Sequence, residues 1–332
     1  MLMSRSWGNG LPRTTFRGWL IATVLLSLIL GGCGQTEGLA SAGEINGTVT
    51  VSGAWALYPM MVRWGEEFQT LHPTVEFDIS AGGAGKGMAD ALAGAVDIGM
   101  VSRDIHQEEI DQGAFWVVVT EDAVVPTINV NNPYLARLQA RGVDQATLEA
   151  IWTGQIKTWG EVLGDASVSD EIHVYTRSDA CGAAETWAAY LGGLRQEDLQ
   201  GVAVYGDPGL AEAVIQDSLG IGYNNLNFAY DADSGRPVSG LQVIPLDQNG
   251  NGQIDGDENI YTAKADLMAA IAAGRYPSPP ARGLNLVTKG KPDGLTLIFI
   301  RWVLTDGQQF AEETGYIPLT EALTQVELAK LE

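Results

Sequence analysis

The most constraining feature of this sequence is a strand-to-helix junction at residues 174–187. An extended apolar run leads into Arg177 and Asp179, a tight Cys181–Gly182 turn follows, and then a helical pattern begins. A helix start presents backbone N–H groups that lack helical partners, together with the positive end of the helix dipole. Because such a turn binds small anions, and because arginine adds a planar fork of donors, the junction predicts anion binding rather than catalysis.

The same order of elements occurs nearer the N-terminus, where it predicts an α/β fold with a parallel sheet. Residues 48–53 and 75–80 are typical of strands, residues 58–69 and 88–94 of helices, and residues 96–101 of a buried strand. Strand, turn and helix in alternation are the pattern of an α/β protein, in which ligands bind at the carboxyl ends of the strands.

Two more turns have anion-binding character. The first spans residues 52–59, and the second is a glycine loop at residues 82–87. The loop is not a Walker motif, because its lysine is followed by glycine rather than by serine or threonine. Each turn alone is also typical of a tight turn that needs positive φ, but several such junctions in one chain favour a common site. The candidate donors in these two turns are Ala56, Leu57, Gly85 and Lys86.

The strand at residues 96–101 ends in Ser102 and Arg103. Arg103 either pairs with one of the many surface carboxylates or faces the cleft and binds an oxyanion through two N–H groups. Its position after a strand end favours the second interpretation.

These motifs together resemble the periplasmic phosphate-binding proteins of bacterial phosphate ABC transporters, over nearly all of residues 48–320. The motifs are Ser52-Gly53 with Tyr58-Pro59, the loop Gly82–Gly87, Val96–Gly99 followed by Ser102-Arg103, Arg177-x-Asp179-x-Cys181-Gly182, Ile221–Tyr223 and Gly315–Leu319. The resemblance implies a two-lobed periplasmic-binding-protein fold of the type II, Venus-flytrap class, with hinge crossings between the lobes. It also implies a membrane permease and an ATPase as partners.

The resemblance further implies that a set of residues surrounds the anion, namely Ala56, Leu57, Gly85, Lys86, Ser102, Arg103, Arg177, Asp179, Cys181, Gly182 and Ala183. In the family's Arg-x-Asp-Gly-Ser-Gly-Thr pattern, Cys181 replaces the serine and Ala183 replaces the threonine. Hydroxyl residues usual in the first two turns are also missing, so backbone N–H groups, Arg103 and Lys86 would take their place.

Phosphate is the predicted ligand because the Asp179 carboxylate repels an oxyanion that has no proton to donate. Sulfate is such an anion, whereas phosphate carries a proton. The alternatives are another tetrahedral oxyanion and an anion sensor that works without a transporter. A third alternative is a hydrolase in which Cys181, with its pKa lowered at a helix start, is the nucleophile. None of the three histidines lies in a recognisable catalytic pattern, so the sequence predicts a binding protein and not an enzyme.

The length of the chain predicts two lobes, because the roughly 300 residues that follow the expected targeting segment exceed what one hydrophobic core usually serves. We expect residues 48–125 and 285–325 to form one discontinuous lobe and residues 126–284 to form the other, with the two crossings as a hinge. A monomer is expected.

Residues 1–32 are typical of a targeting segment. Three arginines precede an apolar run that is too short for a comfortable membrane span, and the run ends Leu30-Gly31-Gly32-Cys33. This ending resembles a bacterial lipobox, which implies cleavage before Cys33, a lipid on its sulfur and an extracytoplasmic, membrane-anchored protein. A plain signal peptide and an uncleaved anchor are the alternatives. Residues 33–47 suit a flexible tether.

The charge of the chain excludes several partners. Removing residues 1–32 takes away three arginines and no acidic residue, so the formal charge changes from −22 to −25. Such a surface argues against nucleic acid and against electrostatic adhesion to anionic lipid. The only other cysteine is Cys181, so a lipidated Cys33 leaves no internal disulfide.

Residues 247–258 match the calcium-binding loop of an EF-hand, and the match predicts a structural Ca²⁺ rather than a cofactor for function. The predicted ligands are Asp247, Asn249, Asn251, Gln253 through its carbonyl, Asp255 and Glu258. A strand-like segment precedes the loop, so a complete helix–loop–helix is not expected. The alternative is an acidic Asn-Gly turn without a metal.

Overall fold

A nine-stranded sheet organises residues 45–332, the part of the chain that the computed structural model describes. The strands are β1 (Gly47–Gly53), β2 (Val75–Ala81), β3 (Ile98–Val101), β4 (Ala114–Asn129), β5 (His173–Arg177), β6 (Val202–Val204), β7 (Gly220–Asn225), β8 (Leu241–Val243) and β9 (Ala281–Lys289).

The strand order is β2-β1-β3-β9-β4-β7-β5-β6, and β8 pairs with β4 outside this path. β1 is parallel to both β2 and β3, and β5 is parallel to both β6 and β7. The long strands β4 and β9 lie antiparallel to each other between these two parallel sets. The predicted α/β class is therefore confirmed, but the sheet is mixed rather than wholly parallel, because β4 and β9 join the two parallel sets through antiparallel pairs.

Helices connect the strands and cover the sheet. They are α1 (Tyr58–Leu71), α2 (Ala84–Ala93), α3 (Gln107–Asp111), α4 (Leu135–Arg141), α5 (Gln145–Trp152), α6 (Trp159–Leu163), α7 (Gly182–Tyr190), α8 (Gly206–Gln216), α9 (Leu226–Ala229), α10 (Lys264–Ala272), α11 (Gly294–Leu304) and α12 (Glu321–Lys330), with 3₁₀ helices at Gln196–Asp198 and Asp306–Phe310.

Two large hydrophobic cores, with a small third cluster of Ala211, Val214 and Leu241, lie within one compact unit that includes residues 45–332. The first core is built from residues between 49 and 119 and between 284 and 331. The second core is built from residues between 123 and 281, with Ile317 added from the C-terminal segment. Each core packs one of the two parallel strand sets against its helices. The lobe boundaries predicted from the sequence remain predictions.

β4 and β9 are the strands that pass from one core to the other. On β4, Val119 belongs to the first core and Ala123 to the second, and on β9 the same change occurs between Leu284 and Ala281. Between these positions Asp122 lies opposite Arg282 in the antiparallel register. The C-terminal segment contacts β4 at the same place, because Glu121 of β4 and Ile317 exchange backbone hydrogen bonds.

Helix α2 begins at Ala84, so the prediction of an irregular glycine loop through Gly87 was wrong. The glycines allow close packing of the helix on the sheet. A Cβ on Gly87 would lie 2.5 Å from the carbonyl oxygen of Met100 and 2.8 Å from the Cα of Gly53. No other residue fits there, so glycine in this segment serves helix–strand contact as well as turn formation.

The predictions for the N-terminus fall almost wholly outside the described residues. The targeting segment 1–32 and the lipidation site Cys33 are among the residues not described. Of the predicted tether, Gly47 is already the first residue of β1. Within residues 45–332, no helix is both long and apolar enough to cross a membrane.

Candidate functional site

The carboxyl ends of the two parallel strand sets meet in one place, where junctions from both cores touch. The N–H of Gly85 donates to the carbonyl oxygen of Ala180 at 3.0 Å. A Cβ on Gly182 would lie only 2.1 Å from the carbonyl oxygen of Ser102. The turns after β2, β3 and β5 are therefore neighbours, and glycine at position 182 permits that approach.

Arg177 is enclosed at the end of β5, with a side chain that is 1% exposed. Its Nε and Nη2 donate to the two oxygens of Asp179, at 2.8 and 2.5 Å, and its Nη1 donates to Asp207 at 2.5 Å. Burial opposes its charge, yet the pKa of Arg177 is raised because the negative charge around it, above all that of Asp207, outweighs burial. The guanidinium is thus a fixed cation.

Asp207 and Asn225 complete this cluster, and the sequence analysis did not identify either. Asp207 lies in the first turn of α8, and its Oδ1 accepts the side-chain amide of Asn225 at 2.7 Å. Both residues are buried. A signal for Asp207 existed, since residues 202–207 read as a short strand followed by Gly-Asp before a helix. Its importance depends on β6 and β7 flanking β5, which no local pattern reveals.

Helix α7 begins directly after Cys181, whose sulfur accepts the N–H of Ala184 at 3.3 Å as an N-cap. Gly182 and Ala183 occupy the first turn, where N–H groups have no helical acceptor. The helix start therefore presents backbone donors in the segment that follows Arg177, and their binding of an anion stays a prediction.

The thiol of Cys181 does not have the lowered pKa that the hydrolase alternative requires. It is 3% exposed, and burial raises the pKa of Cys181 to about 12. The histidines contact other groups: His106 lies 3.7 Å from Glu185 and His173 lies 2.6 Å from Asp217, while His72 packs against a phenylalanine ring. The raised pKa speaks against the hydrolase alternative, because burial and the neighbouring carboxylates disfavour the thiolate.

Arg103 is also buried, but carboxylates from both core regions bind it. Its Nη1 and Nη2 donate to the two oxygens of Glu109 at 2.9 and 2.6 Å. Its Nε lies 3.0 Å from a carboxylate oxygen of Glu185 on α7. The structure therefore agrees with the paired interpretation of Arg103, because acids from both core regions bind its guanidinium. Its binding of an oxyanion stays a prediction.

The remaining predicted donors are placed differently. Leu57 is fully buried and its N–H donates to the carbonyl of Ala54, so this amide is occupied. Ala56 is buried and its carbonyl accepts the hydroxyl of Tyr316 at 2.6 Å. Lys86 is 46% exposed and pairs with Asp90 one turn further along α2. The structure thus does not bring the Lys86 ammonium to the meeting point of the junctions.

A second set of buried charges lies where β4 and β9 cross between the cores. Asp122 is fully buried, and no side chain among the described residues donates a hydrogen bond to its carboxylate, which has only the backbone N–H of Ala123 beside it. Burial raises the pKa of Asp122 to about 6, against the attraction of Arg282 and Lys264. Burial likewise lowers the pKa of Lys264 to about 8.

A cavity of about 600 Å³ adjoins the junctions on the side of the crossing strands. Arg103, Glu185, Arg195 and Arg282 are among the residues that line it. Because cations and acids alternate around this space, it is a mixed polar cavity and not an apolar pocket.

In the calcium-like loop, residues 247–258, backbone N–H groups of the loop donate to its own acidic side chains. Asp247 accepts the N–H groups of Gly250 and Gly252 at 2.8 Å each, and Glu258 accepts the N–H of Gln248 at 2.8 Å. Among residues 45–332, no group of three or more histidine, cysteine, aspartate or glutamate side chains is placed to hold a metal ion. The calcium site stays a prediction.

Comparison with known proteins identifies the family. A PBP superfamily domain matches residues 39–307 of this chain. The phosphate-binding protein PstS of Bacillus subtilis is 28% identical over 314 residues, which cover 91% of this chain and 92% of that protein.

Two solved structures share the fold. A phosphate ABC transporter substrate-binding protein with bound phosphate, from Clostridium perfringens, superposes with a TM-score of 0.66 at 22% identity and covers 82% of this chain and 100% of that one. An ABC-type phosphate transport receptor from Vibrio cholerae gives a TM-score of 0.60 at 19% identity, with coverage of 82% and 100%.

Proposed function

Because the chain belongs to the PBP superfamily, we propose that it is an extracytoplasmic solute-binding protein that captures phosphate for an ABC importer. The relative in Bacillus subtilis is named as a phosphate-binding protein, and the Clostridium perfringens structure contains bound phosphate. An ABC permease and its ATPase are the proposed partners, and no catalytic step is assigned to the chain.

The observation that carries this proposal is the enclosure of Arg177 by two carboxylates at a helix start. Asp179 and Asp207 both bind the guanidinium, so the cluster has no surplus of positive charge. Such a cluster repels a fully ionised anion. An anion that still carries a proton can instead donate a hydrogen bond from its O–H group to a carboxylate oxygen. Phosphate near neutral pH carries that proton, and sulfate does not.

The donors for the other oxygens of the anion come from the neighbouring junctions. We assign this role to the first-turn amides Gly182 and Ala183 and to the side chain of Ser102, which is buried against Gly182. Because the site is enclosed, hydrogen bonds to a charged ligand are stronger there than in water. The backbone amides thus replace the hydroxyl groups that the chain lacks.

Calorimetric titration of the purified protein with phosphate, sulfate and methylphosphonate at pH 6–8 tests the proposal. Phosphate is expected to bind tightest, and Asp179→Asn is expected to narrow the preference of phosphate over sulfate. Asp165→Asn is the matched control, because Asp165 pairs with Arg137 at the surface. Tighter binding of sulfate than of phosphate by the unmodified protein contradicts the assignment and favours another oxyanion.

We also propose that a lipid on Cys33 anchors the protein to the outer face of the membrane. The support is the Leu-Gly-Gly-Cys sequence that follows an apolar run. In a bacterial host, Cys33→Ala is expected to move the protein from the membrane fraction to the soluble fraction, while Cys181→Ala leaves the distribution unchanged. Equal membrane retention of both variants contradicts the anchor.

A structural Ca²⁺ in residues 247–258 is a further proposal, supported by the match at every ligand position of the loop. Binding to the folded state alone raises stability by mass action, so millimolar Ca²⁺ is expected to raise the Tm by about 5 °C over chelator. Glu258→Gln removes this rise, and Asp257→Asn, which changes a position outside the ligand set, keeps it. A Tm that does not respond to Ca²⁺ contradicts the proposal.

A further inference from the structure

Arg282 lies on β9 where the strand passes between the two cores. Its neighbour Ala281 belongs to the second core, and Leu284 belongs to the first. On the adjacent strand β4 it faces the register position of Asp122, a fully buried carboxylate. Arg282 is therefore placed on a segment that has to move if the angle between the cores changes.

The guanidinium of Arg282 reaches from this crossing to the candidate anion site. Its Nη1 donates to the carbonyl oxygen of Gly182 at 2.6 Å, and its Nη2 donates to the side-chain oxygen of Asn225. Gly182 is the first residue of α7, whose N-terminal amides are assigned to the anion. One of the two bonds thus fixes the start of that helix.

The other bond continues to Arg177 through two side chains. Asn225 donates from its amide nitrogen to Asp207 at 2.7 Å, and Asp207 accepts Nη1 of Arg177 at 2.5 Å. Nε and Nη2 of Arg177 bind Asp179. Arg282, Asn225, Asp207 and Arg177 therefore form an unbroken hydrogen-bonded chain from the crossing strands to the charged centre of the site.

Such a chain constrains the orientation of the Arg177 fork more than either acid does alone. A carboxylate with one partner is free to rotate, whereas Asp207 is bound on both sides and Asn225 is bound at both its nitrogen and its oxygen. Bonded buried networks favour one arrangement. In this network both Nη atoms of Arg282 are bonded, while its Nε is buried without a hydrogen-bond partner among the described residues. A shift of β9 relative to β7 changes the Arg282–Asn225 contact. The orientation of the Arg177 guanidinium then changes as well.

We infer that Arg282 is a positioning residue for the anion site. Its two hydrogen bonds fix the position of the helix start at Gly182 and the orientation of the Arg177 guanidinium relative to the crossing strands β4 and β9. The inference rests on the proposed phosphate binding. It assigns to Arg282 no contact with the anion, and it distinguishes this arginine from Arg195, which lines the same cavity but bonds at the surface to Asp198.

The test is phosphate titration of Arg282→Ala, with Arg195→Ala as the matched loss of one positive charge at the same cavity. Loss of hydrogen bonds from a charged donor is expected to weaken phosphate binding about tenfold in Arg282→Ala. Arg195→Ala is expected to stay within twofold of the unmodified protein. Addition of about 10 mM guanidinium chloride is expected to restore much of the affinity of Arg282→Ala, because the cation enters through the adjoining cavity. The same concentration of sodium chloride is expected not to restore it.

Affinity of Arg282→Ala within twofold of the unmodified protein overturns the inference. So does a loss that guanidinium does not reverse, because a purely structural defect is not repaired by a small cation. If Arg282→Ala fails to fold, Arg282→Lys is used, since one ammonium cannot serve both acceptors in the same geometry. It is expected to bind phosphate more weakly, and equal affinity overturns the inference. Failure of the unmodified protein to bind phosphate contradicts the proposed function instead.

Discussion

Arg177 and Arg103 both follow the carboxyl end of a strand, but different parts of the chain bind them. Arg177 is bound by Asp179 and Asp207, which lie in the same core region as Arg177 itself. Arg103 is bound by Glu109 from the first core region and also by Glu185 from the second. The first cluster is therefore complete within one core, whereas the second requires the two cores to be in contact.

The comparison separates two arginines for which the sequence suggested the same task, binding of an oxyanion. A cation that is fixed within one core is suited to hold a ligand before and after the cores approach. A cation whose partners come from both cores is suited to stabilise their contact. We therefore assign anion binding mainly to Arg177 and contact between the cores mainly to Arg103.

Arg177→Gln is expected to have the largest effect. It leaves Asp179 and Asp207 buried without their cation, which costs about 3–5 kcal/mol of stability for a buried pair that loses one partner. Phosphate affinity is expected to fall about 100-fold or more, since charge-assisted bonds to the ligand are lost with the fork. Urea unfolding and calorimetry measure the two quantities. A loss of affinity smaller than that of the corresponding Arg103 variant reverses the assignment of tasks.

Asp122 sharpens the comparison, because it is a buried carboxylate that lies near cations but accepts no side-chain hydrogen bond among the described residues. Burial raises its pKa from 3.8 to about 6, so the folded state is penalised as the pH rises through these values. Asp122→Asn is expected to be more stable than the unmodified protein by about 2–3 kcal/mol at pH 8, and the difference is expected to vanish towards pH 4.

Denaturant unfolding at several pH values measures this trend, with Asp165→Asn as an opposite control. The hydroxyl of Ser167 lowers the pKa of Asp165, so removal of that charge is expected to reduce stability more at neutral than at acid pH. If Asp122→Asn is less stable than the unmodified protein at pH 8, nearby cations alone are enough to stabilise a buried carboxylate. Direct hydrogen bonds would then not distinguish the acids around Arg177 and Arg103 from Asp122.

Arg103→Gln is expected to have a smaller effect on binding than Arg177→Gln. Phosphate affinity is expected to fall about tenfold, because one ion pair between the cores is removed while the donors around Arg177 remain. Glu185→Gln breaks the same pair from the other side and is expected to weaken binding in the same direction. Fluorescence or calorimetric titration compares the variants. Undiminished affinity in both variants shows that contact between the cores does not depend on this pair.

Cys181→Ser is expected to have the smallest effect, and in the opposite direction. A serine hydroxyl is a better N-cap than a thiol and can donate to an anion beside the helix start. Phosphate affinity is expected to rise by up to about fivefold, with stability unchanged or slightly higher. Titration of this variant beside Cys181→Ala isolates the hydroxyl. Weaker binding by the serine variant indicates that the helix start does not face the anion.

The sequence was sufficient for those parts of the site that depend on local order. Arg177, Asp179 and Gly182 occupy one junction, and the chemistry of a strand end followed by a helix start is readable within six residues. The α/β class was predictable for the same reason, because alternating strands and helices bury periodic apolar positions.

Other parts required the fold. Asp207 and Asn225 matter only because β6 and β7 flank β5, and the sequence does not state that adjacency. Lys86 was assigned to the site as a donor in the glycine loop that could replace missing hydroxyl groups. A helix start at Ala84 sets this lysine one turn before Asp90 instead. Asp122 did carry a signal, as an acid within a run of β-branched residues, but its burial between cations follows from the pairing of β4 with β9.

A crystal structure of the protein with phosphate tests the central claim most directly. The account predicts one phosphate with oxygens about 3 Å from the amides of Gly182 and Ala183 and from a nitrogen of Arg177, and with a fourth oxygen at Asp179. Phosphate bound elsewhere, for instance at Arg195 in the adjoining cavity and remote from Arg177, would contradict it.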